Sequence, residues 1–189
     1  MPGLLVGRYL HDVYNGGNPQ QPPQGNAWIL CSAALSEFFY RAGIDHMAQG
    51  SITFSGLNAE FFSQAMHLAA SRSVENGWDL GRLAQAMQTN QIVTATSEPF
   101  AAAMRVLLAA GDSILLRIKY GCCLRQRTRT SPCIRYHVAP QDVHMTEQIN
   151  KDSGAPQGAR DLTWSYGTVL GAMSSRKTLV DMMQQISQP

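Results

Sequence analysis

Charge is scarce in this chain: Asp, Glu, Lys and Arg make up 15% of its 189 residues, and the formal net charge is +2. No apolar run approaches the roughly 20 residues needed to cross a bilayer. The opening Met1-Pro2-Gly3-Leu4-Leu5-Val6-Gly7-Arg8 has no basic leading segment, and its apolar run is too short for a secretory leader. No internal repeat is evident, and no segment alternates apolar and polar residues as a half-buried strand does. Cysteine is down to four, and Cys122, Cys123 and Cys133 have no second pair at zinc-finger spacing, so no structural metal is expected there. These absences argue against a membrane protein, a repeat protein, an all-β domain and a zinc module. What remains is 44% hydrophobic, enough to build a core at a one-domain length.

The positive signals are helical. Arg8 to Gly25 reads as a loop, because Asn15, Gly16, Gly17, Asn18, Pro19, Pro22 and Pro23 exclude regular structure. A loop of that length inside a compact domain is more often functional than not. Asn26 is placed to cap a first helix running to about Gly43. Its apolar residues cover nearly the whole circumference, the mark of a buried helix. Asn58 is placed to cap a second, with Phe61, Phe62, Ala65, Leu68 and Ala69 inward. Leu80, Leu83, Ala84 and Met87 mark a third. Ser97-Glu98-Pro99 opens a fourth. Its stripe of Phe100, Met104, Leu107, Leu108, Leu115 and Ile118 keeps phase across Gly111, so one helix is predicted to about Tyr120, with Gly111 costing roughly 1 kcal/mol of propensity. Leu162, Tyr166, Val169, Leu170 and Met173 form the stripe of a helix that Asp161 can cap. A last helix begins near Thr178. The fold class is all-α.

Residues 121–136 differ from their surroundings. They hold three of the four cysteines, four arginines and no acid. Removing those arginines turns the net charge of +2 into −2. The segment has no helical or strand period, and reads as a non-homologous insertion, of the kind a translated intron produces, with few contacts to the helices. Its run Arg125-Gln126-Arg127-Thr128-Arg129-Thr130 has the composition of a phosphate contact. One basic run without a folded basic face is weak evidence, so no nucleic-acid partner is expected.

The most informative stretch is Met145 to Tyr166. Gly154, Pro156 and Gly158 break its first part into a loop that carries Glu147; its second part is helical and carries Trp164 off the apolar stripe, among Gly167, Thr168 and Gly171. A large aromatic on a face of small residues calls for a ligand, a cavity or another helix. Thr146-Glu147-Gln148, followed by Gly158-Ala159-Arg160-Asp161-Leu162-Thr163-Trp164-Ser165-Tyr166, resembles a signature of glycoside hydrolase family 15, the glucoamylases. Near the start, Gly7-Arg8-Tyr9-Leu10-His11-Asp12-Val13-Tyr14-Asn15-Gly16 and Asn26-Ala27-Trp28-Ile29-Leu30-Cys31 resemble two further motifs of that family, in the right order. Leu10-His11 stands where the family has Pro-Glu, and Ala27 where it has Pro.

The resemblance implies about the C-terminal half of an (α/α)6 barrel, an incomplete catalytic domain spanning 1–189. It implies exo-hydrolysis of α-1,4-glucans with inversion, releasing β-glucose. Glu147 would be the general base, and Arg8, Asp12, Tyr14, Trp28 and Trp164 would bind sugar. Without that context a loop glutamate is usually a solvated charge, Arg8 an exposed arginine and Trp28 a core residue. No match to the family's proton donor is present, so the chain alone is expected to be inactive and to need the missing N-terminal half of the barrel. No cofactor, metal or membrane partner is implied. His137, Asp142, His144 and Glu147 have metal-ligand chemistry, but their spacing matches no known site. The resemblance implies a secreted or vacuolar parent enzyme. The competing class is a non-catalytic glucan-binding fragment.

Overall fold

The computed structural model describes residues 4–17, 19, 25–121 and 144–186. The insertion-like segment, His137 and Asp142 lie outside the described residues beyond Gly121. The elements in chain order are β1 (Ala27–Trp28), α1 (Ile29–Gln49), β2 (Ser51–Thr53), α2 (Ala59–Glu75), α3 (Gly81–Gln88), β3 (Ile92–Thr94), α4 (Glu98–Gly121), β4 (Gln148–Ile149), β5 (Pro156–Gln157) and α5 (Thr163–Ile186). Helix dominates, as the periodicity indicates. The strands have two or three residues each, too short to leave an alternating pattern in the sequence. The described residues fall into two compact units, one from residues 4–35, 114–121 and 144–171, the other from 36–113 and 172–186.

The first unit is built on a three-stranded antiparallel sheet in the order β1-β4-β5. Ala27 pairs with Ile149 and Trp28 with Gln148, so the segment after Glu147 is stitched to the segment before α1. The turn from β4 to β5 is set by Asn150, whose side-chain oxygen accepts the amides of Asp152 and Ser153 while its carbonyl accepts that of Gly154. Asn26 is not a helix cap. Its amide donates to Gln148 Oε1 at 3.0 Å and its oxygen accepts the Lys151 amide, because β1 intervenes before α1 begins. Asp161 is not a cap either. Its φ is +58°, and its carboxylate takes the Tyr166 hydroxyl instead of a backbone amide.

The second unit packs around aromatic side chains. Phe39 stacks on Phe61 at 5.5 Å, and Phe62 lies edge-on to Phe61 and Phe54. Such pairs contribute about 0.5–1.5 kcal/mol each beyond the area they bury. On α4, Phe100, Met104 and Leu107 are buried as the stripe predicts. By length and composition, residues 98–119 are long and apolar enough to cross a membrane, contrary to expectation. Their apolar side is occupied by protein, with Phe100, Val106, Leu107 and Ile114 essentially inaccessible. Gly111 does more than weaken the helix: a Cβ there would lie 2.4 Å from the Tyr40 ring. Ser36 donates to the Gly111 carbonyl, and Asp112 accepts the Tyr40 hydroxyl at 2.8 Å and a bidentate fork from Arg176.

Two stripes are corrected. Helix α1 is not buried all round: Ala34, Phe38, Arg41, Asp45 and Ala48 form an exposed line at steps of four, three, four and three. Helix α5 is continuous from Thr163, with no new start at Thr178. Its buried line is Ser165, Val169, Ala172, Ser175 and Leu179, whereas Leu170 and Met173 are 64% and 54% exposed. Small residues, not the large apolar ones, mark the face where neighbours come close.

Candidate active site

The early motif folds into a tight loop in the first unit. The Asp12 amide donates to the Tyr9 carbonyl, and His11 adopts φ +62°, a left-handed conformation that histidine tolerates better than β-branched residues do. The turn brings Asp12 under Arg8. Arg8 Nε donates to Asp12 Oδ2 at 2.9 Å and Nη2 to Oδ1 at 2.8 Å, a bidentate pair. The Tyr14 amide adds a third bond to Oδ1 at 3.0 Å. Asp12 is held below the usual carboxylate range by the Arg8 hydrogen bonds, which outweigh the opposing effect of its burial. Arg8 is raised in turn by the same partner.

Arg8 also lies over aromatic faces. Its guanidinium carbon is 4.4 Å from the Trp28 ring centroid and 5.2 Å from those of Tyr9 and Tyr14. Trp28 is buried and Tyr14 lies 5.9 Å from it, centroid to centroid. Trp28 is therefore a packing partner for Arg8 as much as a surface for any ligand.

Glu147 joins this cluster from a distant part of the sequence. The Tyr14 hydroxyl donates to Glu147 Oε2 at 3.2 Å. The contact is longer than most O–H···O bonds. The Tyr14 phenol is pushed above its ordinary range by loss of water first and by the Glu147 charge second. Glu147 is fixed through its backbone, its amide donating to Ala159 and its carbonyl accepting from Ile29. The carboxylate lies against Gly158, which has φ +78° and no Cβ; an added Cβ would come within 2.3 Å of Oε2.

Arg8, Asp12, Tyr14, Trp28 and Glu147 are thus brought together. Trp164 is in the first turn of α5 and 68% exposed. Its neighbour Ser165 donates to the Thr146 carbonyl, one residue from Glu147, but the indole stacks on no described aromatic ring or guanidinium. Two buried donors at the site, Gln148 Nε2 and Trp28 Nε1, have no hydrogen-bond partner among the described residues; Trp28 is a residue the motifs point to, whereas Gln148 was not singled out from sequence. The chain context gave a signal for Gln148, because it follows Glu147 directly. The described residues contain no group of three or more His, Cys, Asp or Glu side chains able to hold a metal. An open cleft in the second unit, lined by Arg41, Ile44, Asp45, Ser174, Ser175 and Thr178, includes none of the site residues.

Comparisons with known proteins find glucoamylases as relatives over nearly the whole chain. The chain is 30% identical over 94% of its length to a glucoamylase of Blastobotrys adeninivorans, and 29% identical over 92% to glucoamylase GLU1 of Saccharomycopsis fibuligera. It is 26% identical over 96% to an intracellular sporulation-specific glucoamylase of Saccharomyces cerevisiae. It spans only 23%, 28% and 28% of these relatives. The solved glucoamylase from Saccharomycopsis fibuligera matches 96% of the chain, and 31% of its own length, with a TM-score of 0.67 at 28% identity. The glucoamylase from Hypocrea jecorina matches 94% with a TM-score of 0.61. The fold is accordingly all-α, part of the (α/α)6 barrel type. The family model for glycosyl hydrolases family 15 matches residues 1–119, and the chain belongs to that family.

Proposed function

We propose that this chain is the part of a glucan 1,4-α-glucosidase that supplies the general base. Glu147 takes a proton from water, and the water attacks the anomeric carbon on the face opposite the leaving glucan, which inverts the configuration. The observation that carries the reading is the Tyr14–Glu147 contact beside the Arg8–Asp12 pair, which joins three motif pieces at one place. Arg8 and Trp164 hold sugar: the guanidinium N–H groups not engaged by Asp12 offer hydroxyls further donors, and an exposed indole offers the apolar face of a glucose ring. Asp12 fixes the fork, Trp28 supports it from below, and Tyr14 orients Glu147.

Inversion requires a second carboxyl group, roughly 6.5–9.5 Å from the base, to protonate the departing oxygen. The resemblance finds no such acid in this sequence, and the chain spans about a quarter of its curated relatives. The isolated chain is therefore inactive, and activity needs the remaining part of the barrel as partner. The parent enzyme is secreted or vacuolar on the same reading. A non-catalytic glucan-binding role is the second reading, favoured by the same short span.

The test is to purify the chain and measure both glucose release from soluble starch and binding of maltose and acarbose. Binding that is lost in Arg8→Ala, with no steady glucose release, supports the reading. Release from the isolated chain that survives Glu147→Gln removes Glu147 from the mechanism, and absence of any sugar binding removes the site.

A further inference from the structure

The segment leading into Glu147 is fastened to the start of α5 by a row of bonds at consecutive residues. His144 Nδ1 lies 2.5 Å from Asp161 Oδ1. The Tyr166 hydroxyl donates to the same Oδ1 at 2.8 Å and accepts the Met145 amide at 2.8 Å. The Leu162 amide donates to the Met145 carbonyl, and the Ser165 hydroxyl to the Thr146 carbonyl at 3.0 Å. The Glu147 amide completes the row on the Ala159 carbonyl at 2.9 Å. Four successive residues are thus tied to residues 159–166, and Asp161 is the shared anchor. Its φ of +58° is one that non-glycine residues seldom adopt. A residue in that conformation, with its carboxylate taken by two side chains, points to a positional role.

We infer that His144, Asp161 and Tyr166 form a positioning clamp that sets where the Glu147 carboxylate stands. The bonds of the clamp reach Glu147 through the backbone. Asp161 fixes the Tyr166 hydroxyl, that hydroxyl fixes the Met145 amide, and the backbone bonds carry the constraint two residues on to Glu147. Tyr14 then meets a carboxylate whose backbone is already placed. His144 supplies the second donor on Asp161 and closes the row at its entry. Arg160 also faces the anchor, its Nε 4.0 Å from Asp161 Oδ2, too far to replace either donor. The importance of the clamp for catalysis rests on Glu147 being the base; the clamp itself does not.

The experiment uses the full 189-residue chain and no sugar. Amide hydrogen exchange and the ¹³C titration of the Tyr14 phenol, which senses the Glu147 carboxylate beside it, are followed by NMR in wild type, His144→Gln, Asp161→Asn and Tyr166→Phe. Asparagine tolerates the left-handed conformation, so that variant removes charge without forcing the backbone. The expected result is exchange at Met145 and Glu147 faster by roughly three- to tenfold, the scale of one hydrogen bond. The Tyr14 titration, raised in part by the Glu147 charge, should move in the same variants, while the Phe62 amide in α2 keeps its protection. An unmoved Tyr14 titration and unmoved exchange at the Glu147 amide in all three variants overturn the clamp. If Asp161→Asn loses protection at Phe62, His144→Gln decides, since His144 is exposed and outside the core. A Glu147 that proves not to be the base leaves these readouts intact, so the two ideas fail separately.

Discussion

Tyr14 and Glu147 are separated by 133 positions in the chain, yet the phenol of one donates to the carboxylate of the other. The contact ties the early arginine loop to the segment that carries the proposed base. It also makes Tyr14 a reporter. Its phenol is raised by burial first and by the negative charge of Glu147 second. Glu147→Gln removes the charge and keeps the volume, so Tyr14 should ionise at lower pH, part of the way back toward 10. Ultraviolet titration of wild type and Glu147→Gln, each compared with its Tyr14→Phe partner, isolates the shift. An unchanged Tyr14 curve would show that the charge is not felt.

The Arg8–Asp12 pair gives a pH prediction with a definite sign. Arg8 lowers the folded-state pKa of Asp12 below its unfolded value. The pair therefore contributes its full stability above the ordinary carboxylate range and loses it as pH falls through the lowered folded value. Arg8→Gln should reduce the melting temperature at neutral pH, with the gap to wild type closing in acid. Melts between neutral and strongly acidic pH check this. A gap that stays constant across the range would mean that Arg8 stabilises through packing on Trp28 and not through its charge.

Much of the fold was legible because core patterning repeats with the helix period. Phe100, Met104 and Leu107 were readable as buried, and are. Leu170 and Met173 misled because periodicity reports which residues are apolar, not what covers them. The line that is buried on α5 contains Ser165, Ala172 and Ser175, whose small size allows close approach but gives no hydropathy signal. Asn26 and Asp161 looked like caps because cap chemistry and loop-bracing chemistry use the same side chains. At the site, Glu147, Arg8 and Trp164 were visible through motifs alone. The partnerships of Asn26 with Gln148 and of Tyr14 with Glu147 join residues more than a hundred positions apart, which no local pattern records.

Gly158 supplies a test of how tightly the carboxylate is placed. Alanine there must adopt φ near +78° and put its Cβ within 2.3 Å of Glu147 Oε2. The left-handed backbone alone costs roughly 1–2 kcal/mol for an L-residue. The glutamate side chain must then swing away, which breaks the Tyr14 contact. Gly158→Ala should lower stability by about that amount and should also lower the Tyr14 pKa toward that of the Glu147→Gln variant. Denaturant melts read the first effect and ultraviolet titration the second. Loss of stability with an unmoved Tyr14 would place the clash elsewhere than at the carboxylate.

Gly111 sets two magnitudes against each other in the second unit. In an isolated helix, replacing a mid-helix glycine by alanine stabilises by roughly 1 kcal/mol. Here the new Cβ would lie 2.4 Å from Tyr40 Cε1 and 2.6 Å from Cζ. Tyr40 has no room to retreat: it is fully buried, and its hydroxyl is held at 2.8 Å by Asp112, which Arg176 grips in turn. Overpacking a closed core costs typically about 1–3 kcal/mol, and shifting the ring also strains the Tyr40–Asp112 bond. The packing cost should win, so Gly111→Ala should lower the melting temperature despite the better helix propensity. Adding Tyr40→Phe removes the hydroxyl and frees the ring to tilt, and the double variant should lose less than the two single changes combined. Strict additivity in that double-mutant cycle would separate Gly111 from Tyr40 and leave its glycine without a packing reason.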